Sequence, residues 1–488
     1  MKRLRTLCLT LCGLLLLAGI ATATGSTTTS PTHFIQISLS QTPGVMCPGS
    51  KKCQNPAAEP AIRSDPDGDF YAASENGVTS GTEAWISKKH AHAFLALPSP
   101  NSTSATSDTG FAPGGGDVDV ATATAKNDKH EYNVYVASLY LANITVSTTA
   151  DEGKTWAINP VGADVAGADD REWIAAEGAS KVCVSYHDAE QNIEVNCSMD
   201  AGATFTQLAS AIDESHLYQA GNNSIGNLAI DPKTHDIFQT YSSITTASEV
   251  ECAPQLGVSA GTCGYHGVYM AVSTDGGNTF TDYPVYINKN AKANYGHQFV
   301  NVSLDRAGNV YSVYTDDHHV YYSFSKDHGK TWKGPYLVST PKGTHIMPWS
   351  TAGDAGKLDV VYYQTPFYKK GTSPDTYPNS AKWTVGFAQN LNALSPGSKW
   401  SHVTATPVIH LGGVCESGVA CTGNRDLYDD FGVAASPRTG WAAIVYSDDQ
   451  WSKNGQTAPG CTKAKNNTGT CDHTAIASQT AGPGIFSK

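Results

Sequence analysis

The chain has 488 residues and carries 32 Lys and Arg against 44 Asp and Glu, a formal net charge of −12. That balance argues against nucleic acid or an anionic membrane surface as the main partner, because both repel an acidic protein. The length exceeds what one ordinary core fills and suits a repeat array closed into a ring.

The first residues read as a secretory leader. Lys2, Arg3 and Arg5 precede an apolar run from Leu7 to Ile20, and Ala21-Thr22-Ala23 offers small residues for cleavage. The run is too short to span a bilayer comfortably, and no later stretch is long and apolar enough to do so. The expected division is a signal peptide over residues 1–23 and one secreted domain over residues 24–488. Of 12 cysteines, Cys8 and Cys12 fall in the leader. The others form close pairs: Cys47/Cys53, Cys183/Cys197, Cys252/Cys263, Cys415/Cys421 and Cys461/Cys471. An even count at short spacing in a secreted chain predicts local disulfides.

Residues 24–34 form a Ser/Thr-rich lead-in, and Phe34-Ile35-Gln36-Ile37-Ser38-Leu39 then alternates like a strand. From Glu59 a unit recurs at roughly 50 residues: a short strand, a turn, a β-rich strand, a loop, a third strand and a weaker fourth. First strands begin at Glu59, Asp117, Arg171, Ile225, Phe299, Ile346 and Asp430. No amphipathic helix of useful length appears. The pattern predicts an all-β fold, a β-propeller of four-stranded blades, with seven blades favoured and six as the alternative. The last unit ends on His473-Thr474-Ala475-Ile476-Ala477-Ser478 and has no fourth strand of its own. The strand at Phe34–Leu39 is left to supply it and close the ring.

A short phrase follows the third strand of four units. It reads Asp151-Glu152-Gly153-Lys154-Thr155-Trp156, then Ser198-Met199-Asp200-Ala201-Gly202-Ala203-Thr204-Phe205, Ser273-Thr274-Asp275-Gly276-Gly277-Asn278-Thr279-Phe280 and Ser325-Lys326-Asp327-His328-Gly329-Lys330-Thr331-Trp332. The Asp can accept backbone N–H groups of its own turn, the Gly can take φ > 0, and the aromatic can bury itself to pin the hairpin. With these residues the chain resembles the Asp-box (BNR-repeat) β-propellers of the sialidase superfamily. The resemblance implies that the box is a folding device between third and fourth strands. It also implies a sialidase-like site, in which three arginines grip a substrate carboxylate beside a Tyr nucleophile and an Asp acid/base. Arg63, Arg171 and Arg425 are the arginines that could form the triad, Tyr428 the nucleophile, and Asp117 or Asp119 the acid/base.

Loops of a propeller alternate between two faces. The turns joining strands 1–2 and 3–4 are short here, whereas Pro98–Gly116, Ser242–His266, Thr365–Lys382, Ile409–Asp429 and Ser447–Asp472 are long and belong to the other face. Long loops braced by cysteine pairs mark that face as functional. First-strand residues at its channel mouth include Glu59, Asp117, Arg171 and Asp430, with Asp119, Asp169, Asp170, Glu172, Tyr295, His297, His345, Arg425, Asp426, Tyr428 and Asp429 nearby. Asp117, Asp119, Tyr428 and Asp430 are the catalytic candidates; Glu59, Arg63, Arg171, His297, His345 and Arg425 are the substrate-binding ones. Paired carboxyls beside Arg suit glycoside hydrolysis without a cofactor. They equally suit a structural Ca²⁺, or plain capping of loops. Two functions stay open: a secreted glycosidase acting as a monomer on a glycan or glycoconjugate, and a non-catalytic propeller that binds a glycan or protein.

Overall fold

The computed structural model describes residues 30–40, 42, 57–77, 80–88, 91–101, 114–140, 143–162, 169–254, 262–297, 299–416, 421, 425–429, 431–450, 452–453, 456–457 and 473–487. The leader, Asp430 and the cysteine pairs Cys47/Cys53 and Cys461/Cys471 lie outside them.

The β-rich second strands are apolar on both sides, which leaves no face for water. In the strand Tyr132–Tyr140, Val134 and Val136 pack with Ala61, Tyr71 and Ala73 of the preceding sheet. Tyr135 and Ala137 pack with Ile174, Val182 and Val184 of the following one. Side chains of a strand alternate, so a run apolar at every position must be covered twice. The solution is a ring of seven four-stranded antiparallel blades. Their innermost strands are Ala58–Ser64, Val118–Lys126, Asp170–Glu177, Asn223–Ile230, Asn301–Leu304, Thr344–Ala352 and Gly432–Ala435. The count is seven, not six.

Blade 7 is assembled from both ends of the chain. His473–Ala481 is its third strand and His33–Ser38 its fourth. They pair antiparallel, with Phe34 opposite Gln479 and Ile37 opposite Ile476. Phe34 also meets Phe387 of blade 6 edge-on, ring centroids 5.0 Å apart. The N-terminal strand thus closes blade 7 and ties it to its neighbour.

The repeated phrase folds identically each time. Thr204 donates to Asp200 through its N–H at 2.8 Å and its hydroxyl at 2.7 Å, and Ser198 Oγ donates to the same carboxylate at 2.7 Å. Asp151, Asp275 and Asp327 hold Thr155, Thr279 and Thr331 in the same way. Each turn also docks on the blade before it. Gly202 has φ +81° and lies against that blade, where a Cβ would come within 2.9 Å of Thr148 Oγ1. Trp156 is buried and donates from Nε1 to the Pro98 carbonyl at 3.1 Å.

Among the described residues three disulfides are present, Cys183–Cys197, Cys252–Cys263 and Cys415–Cys421. The first joins directly opposed residues of adjacent strands; the other two brace long loops. The long connections join second to third strands or one blade to the next, so their ends share one face, and no described helix is long and apolar enough to cross a membrane. On the opposite face the C-terminal tail crosses from blade 7 to blade 6: Ile485 N–H donates to Gly440 O, and Ile485 O accepts from Asp354 N–H, each at 2.9 Å.

Two stability predictions follow from these contacts. Asp275→Ala removes a carboxylate that holds the Thr279 N–H and hydroxyl, and should cost about 1 kcal/mol. Urea titration should show a lower midpoint with unchanged slope; an unmoved midpoint would mean that the turn is held by its neighbours alone. The second concerns Asp359, fully buried on the blade 6 strand Leu358–Thr365. Gln389 Nε2 donates to its Oδ1 at 2.9 Å, and burial pushes the carboxyl up to about 8. A raised folded-state pKa means that the folded protein binds this proton more tightly. The stabilisation is therefore full below the unfolded carboxyl value and is lost as pH rises toward about 8. Asp359→Asn keeps the neutral shape, so its Tm should fall less than wild type between about pH 5 and about pH 8. Parallel Tm curves would show Asp359 to be ionised throughout.

Candidate functional site at the channel mouth

Three innermost strands carry a non-glycine residue in the left-handed region near their start: Glu59 (φ 46°), Arg171 (φ 48°) and Met347 (φ 50°). At each the pairing register slips, between Ala58 and Ala61, Asp170 and Glu172, and Ile346 and Trp349. Such bulges bend a strand and re-aim a side chain. Each strained residue costs of order 1–3 kcal/mol and persists only where its surroundings hold it. Glu59 and Arg171 hold each other.

Arg171 Nη1 lies 3.3 Å from Glu59 Oε2 and 3.4 Å from Asp117 Oδ2. Its guanidinium rests on the rings of Trp173 and Phe299, 4.4 and 4.2 Å from their centroids. The second arginine arrives from the loop before blade 7: Arg425 Nη2 donates to Glu59 Oε1 at 2.9 Å and to Asp429 Oδ2 at 2.6 Å. Glu59 therefore bridges both guanidiniums. Glu75 ends the strand Phe70–Glu75, and Glu59, Glu75 and Asp117 bring one oxygen each within 4.8 Å of one another. Below this group Trp173 meets Phe299 edge-on and Trp349 at a tilt, centroids 5.3 and 5.1 Å apart, so the mouth is a cup with an aromatic floor.

The electrostatics are lopsided. Glu59, Glu75, Asp117, Asp170, Glu172 and Asp429 surround two guanidiniums. Burial, then the charges of Glu75, Asp117 and Asp429, push Glu59 well above the usual carboxyl range. Burial and then Asp117 do the same to Glu75. Glu172 is 1% exposed and neither of its carboxyl oxygens has a hydrogen-bond partner; burial and then Asp117 raise it strongly. Burial works against the charge of Arg425, but Glu59 and Asp429 outweigh it and raise its pKa. Burial and like charge thus both favour the protonated form of Glu59, Glu75 and Glu172.

The structure gathers Glu59, Asp117, Arg171, Arg425 and Asp429, and Tyr428 stands beside them. Tyr428 has φ 57°, donates its N–H to Arg425 O at 2.9 Å and sets its ring 5.4 Å from that guanidinium. Arg63 and Asp119 are not part of this group. Arg63 Nη2 lies 2.9 and 3.2 Å from the two Asp119 oxygens, which also accept the N–H groups of Val120 and Ile174 at 2.8 and 3.1 Å. Arg63 instead lines a cavity of about 290 Å³ beneath the aromatic floor, with Ser64, Asn227, Ser350 and Phe486. His345 is buried and turned inward: Nδ1 bonds His318 O at 2.8 Å and Nε2 meets Thr340 Oγ1 at 3.2 Å, while burial lowers it to about 4. His297 pairs with Asp317, whose charge raises its pKa, and Glu416 completes that trio within 4.8 Å. Tyr295 is buried, its hydroxyl accepting from Asn288 at 2.9 Å.

Glu75, Glu416 and His410 were not among the sequence candidates. Glu75 lies opposite Ala58 at the same level of the mouth, so reading second-strand ends as well as first-strand starts would have found it. His410 anchors the Arg425 loop from below. Its Nδ1 lies 2.7 Å from Asp449 Oδ2 and 3.8 Å from Asp426 Oδ2, and its Nε2 lies 2.8 Å from Gly413 O. Of the groups able to take a cation, this one has both ring nitrogens engaged. The Glu59/Glu75/Asp117 group already has a guanidinium as counter-ion. His297/Asp317/Glu416 and Asp213/His216/Asp282 are the remaining clusters among the described residues.

No family model matches the chain, and no curated protein matches it. Among solved structures it is similar to a protein of unknown function from Dyadobacter fermentans, with 11% identity and a TM-score of 0.46 over 92% of this chain and 99% of that one. It is similar to the GH93 α-L-arabinofuranosidase of Fusarium graminearum solved with arabinobiose, at 12% identity and a TM-score of 0.44 over 92% and 98%. A third likeness is to the Aleuria aurantia lectin, at 10% identity and a TM-score of 0.41 over 74% and 97%. Likeness at this level does not say which residues act.

Proposed function

We propose that the protein is a secreted glycoside hydrolase whose chemistry sits in the carboxylate and arginine cup. The observation that carries this reading is the close trio Glu59, Glu75 and Asp117 beside two arginines, in which burial and like charge raise Glu59 and Glu75. Glu59 is fully buried and bridges both arginines, so it orients them. Glu75 is only partly buried and its pKa is raised, which makes it the proton donor to the leaving glycosidic oxygen. Asp117, with 19% of its side chain exposed, is the nucleophile. Their spacing, under 4.8 Å between oxygens, fits the ~5–5.5 Å of retaining glycosidases better than the wider inverting gap. Asp117 attacks the anomeric carbon as Glu75 protonates the departing oxygen. Water then opens the glycosyl ester, with Glu75 taking its proton. Arg171 and Arg425 hold the carboxylates in register, and Tyr428 walls the cup.

In this reading the four turns are Asp-boxes that build the ring, and the chemistry belongs to the opposite face. Arg63 and Asp119 brace the channel, and Asp430, next in sequence to Asp429, is a further acid of this reading. Two converging arginines in place of three make a sialoside one arm of the assay and not the presumed substrate. The leader and the disulfides support secretion. A non-catalytic glycan-binding role is the second reading; what favours it is that Glu59 already occupies a guanidinium of each arginine.

The test is a panel of acidic and neutral fluorogenic glycosides. Glu75→Gln and Asp117→Asn should each lower kcat/KM at least ~100-fold, in the range expected for a lost acid or nucleophile. Arg306→Gln, on a short turn of the far face, should leave it unchanged. Wild-type protein that turns over no glycoside but binds on a glycan array would establish the second reading, and full activity in Asp117→Asn would remove Asp117 from the chemistry.

A further inference from the structure

We infer that the same face holds a separate anchoring subsite for an acidic sugar residue, built from Tyr368 and the lysines Lys342, Lys369 and Lys370. The inference rests on the reading of this face as glycan-directed. Tyr368 is 45% exposed, and it is the one aromatic ring among the exposed large apolar side chains of the described residues. It is nevertheless held flat: its ring stacks on His318 with centroids 3.7 Å apart and planes 8° from parallel. His318 in turn leans on His319 at 3.8 Å, and its carbonyl is bonded by the buried His345. Burial and then His319 lower the pKa of His318, so the supporting ring is neutral. A rigid, half-open aromatic face is what the C–H face of a pyranose packs against.

On the loop side of this stack the charges are basic, whereas Asp316 accepts the His318 N–H on the other side. Lys369 and Lys370 directly follow Tyr368 in the long loop of blade 6, and both are exposed. Lys342 precedes Gly343, which is pressed against the base of the same loop; a Cβ there would lie 2.4 Å from Thr365 O. Among the described residues none of the three lysines has an ion-pair partner. Three lysines outside the ion pairs of the described residues, on the face of the long loops of a chain with net charge −12, offer an acidic group a local attraction that the cup does not. The cup, with six carboxyls around two guanidiniums, repels an acidic sugar. A glycan with acidic residues therefore places one on the lysines and presents a less charged linkage to Glu75 and Asp117.

The two places are joined along one rim. Next to His318, Asp317 pairs with His297 and lies within 4.8 Å of Glu416. The Glu416 carboxyl is raised by burial and then by Asp317, Asp375 and Asp429. Asp429 holds Arg425 at the cup. An oligosaccharide laid on that rim reaches both.

Calorimetric titration of the intact protein with tetragalacturonic acid, and with its uncharged methyl ester, tests the subsite. Tyr368→Ala should weaken both ligands at least ~10-fold, because stacking needs no charge. A Lys342→Gln/Lys369→Gln/Lys370→Gln variant should weaken only the acid, at least ~10-fold, and abolish most of its salt dependence. All four positions are exposed, and matching thermal melts verify that the variants are folded. Wild type binding neither tetrasaccharide, or both variants binding like wild type, overturns the subsite. Failure of the hydrolase reading leaves these titrations standing, since Glu75 and Asp117 are not among the residues changed.

Discussion

The second strand of each of the seven blades is buried on both faces, and that one constraint organises the rest. Such a blade is stable only between two others, so a row of them has no acceptable end. A ring removes the ends, provided that the last blade is completed. The strand Gly432–Ala435 opens blade 7 and His33–Ser38 finishes it, so the two chain termini are committed to the same sheet. The Asp-containing turns serve the same constraint. Their carboxylates fix local hairpins, and their glycines let each hairpin press on the preceding blade.

The fold was legible because it is written several times. Seven first-strand starts, four copies of one turn phrase and an orphan strand at the N-terminus each point to the same ring. The site was legible only in part, and the reason is geometric. A residue at the first position of an innermost strand reaches the mouth whichever blade it is on, so Glu59, Asp117 and Arg171 converge as their positions imply. Arg63 occupies a deeper level, where the equivalent residues are Ala121, Ala175, Ala229, Ser303, Ser350 and Ala434. Its length carries it to Asp119 of the neighbouring blade and under the ring of Trp349, and the aromatic floor then separates it from the cup. Sequence shows the level of a residue along its strand, but not which side of a floor built by Trp173 and Trp349 it will end on.

Glu75 and His410 escaped for another reason. Neither is marked by a repeat. Glu75 is found only through its register with Ala58, and His410 only through contacts with Asp449 and Gly413 that span a long loop. Long connections on one face are predictable as a class, but the partners inside them are settled by packing.

The cup concentrates two unfavourable features in one place. Glu59 and Arg171 sit in a backbone conformation that side chains avoid, and six carboxyls crowd two guanidiniums. Neither feature helps the ring to fold, since the same level in blade 2 is built on an ordinary strand start. Each is tolerated because it compensates the other: the bulges aim Glu59 and Arg171 together, and that ion pair fixes the bulges. The result is a set of carboxyls with divergent proton affinities, held by a rigid wall and open on the side of the long loops. The proposed hydrolysis would draw on that divergence, since protonating a leaving oxygen needs a carboxyl whose proton affinity is raised above that of its neighbours.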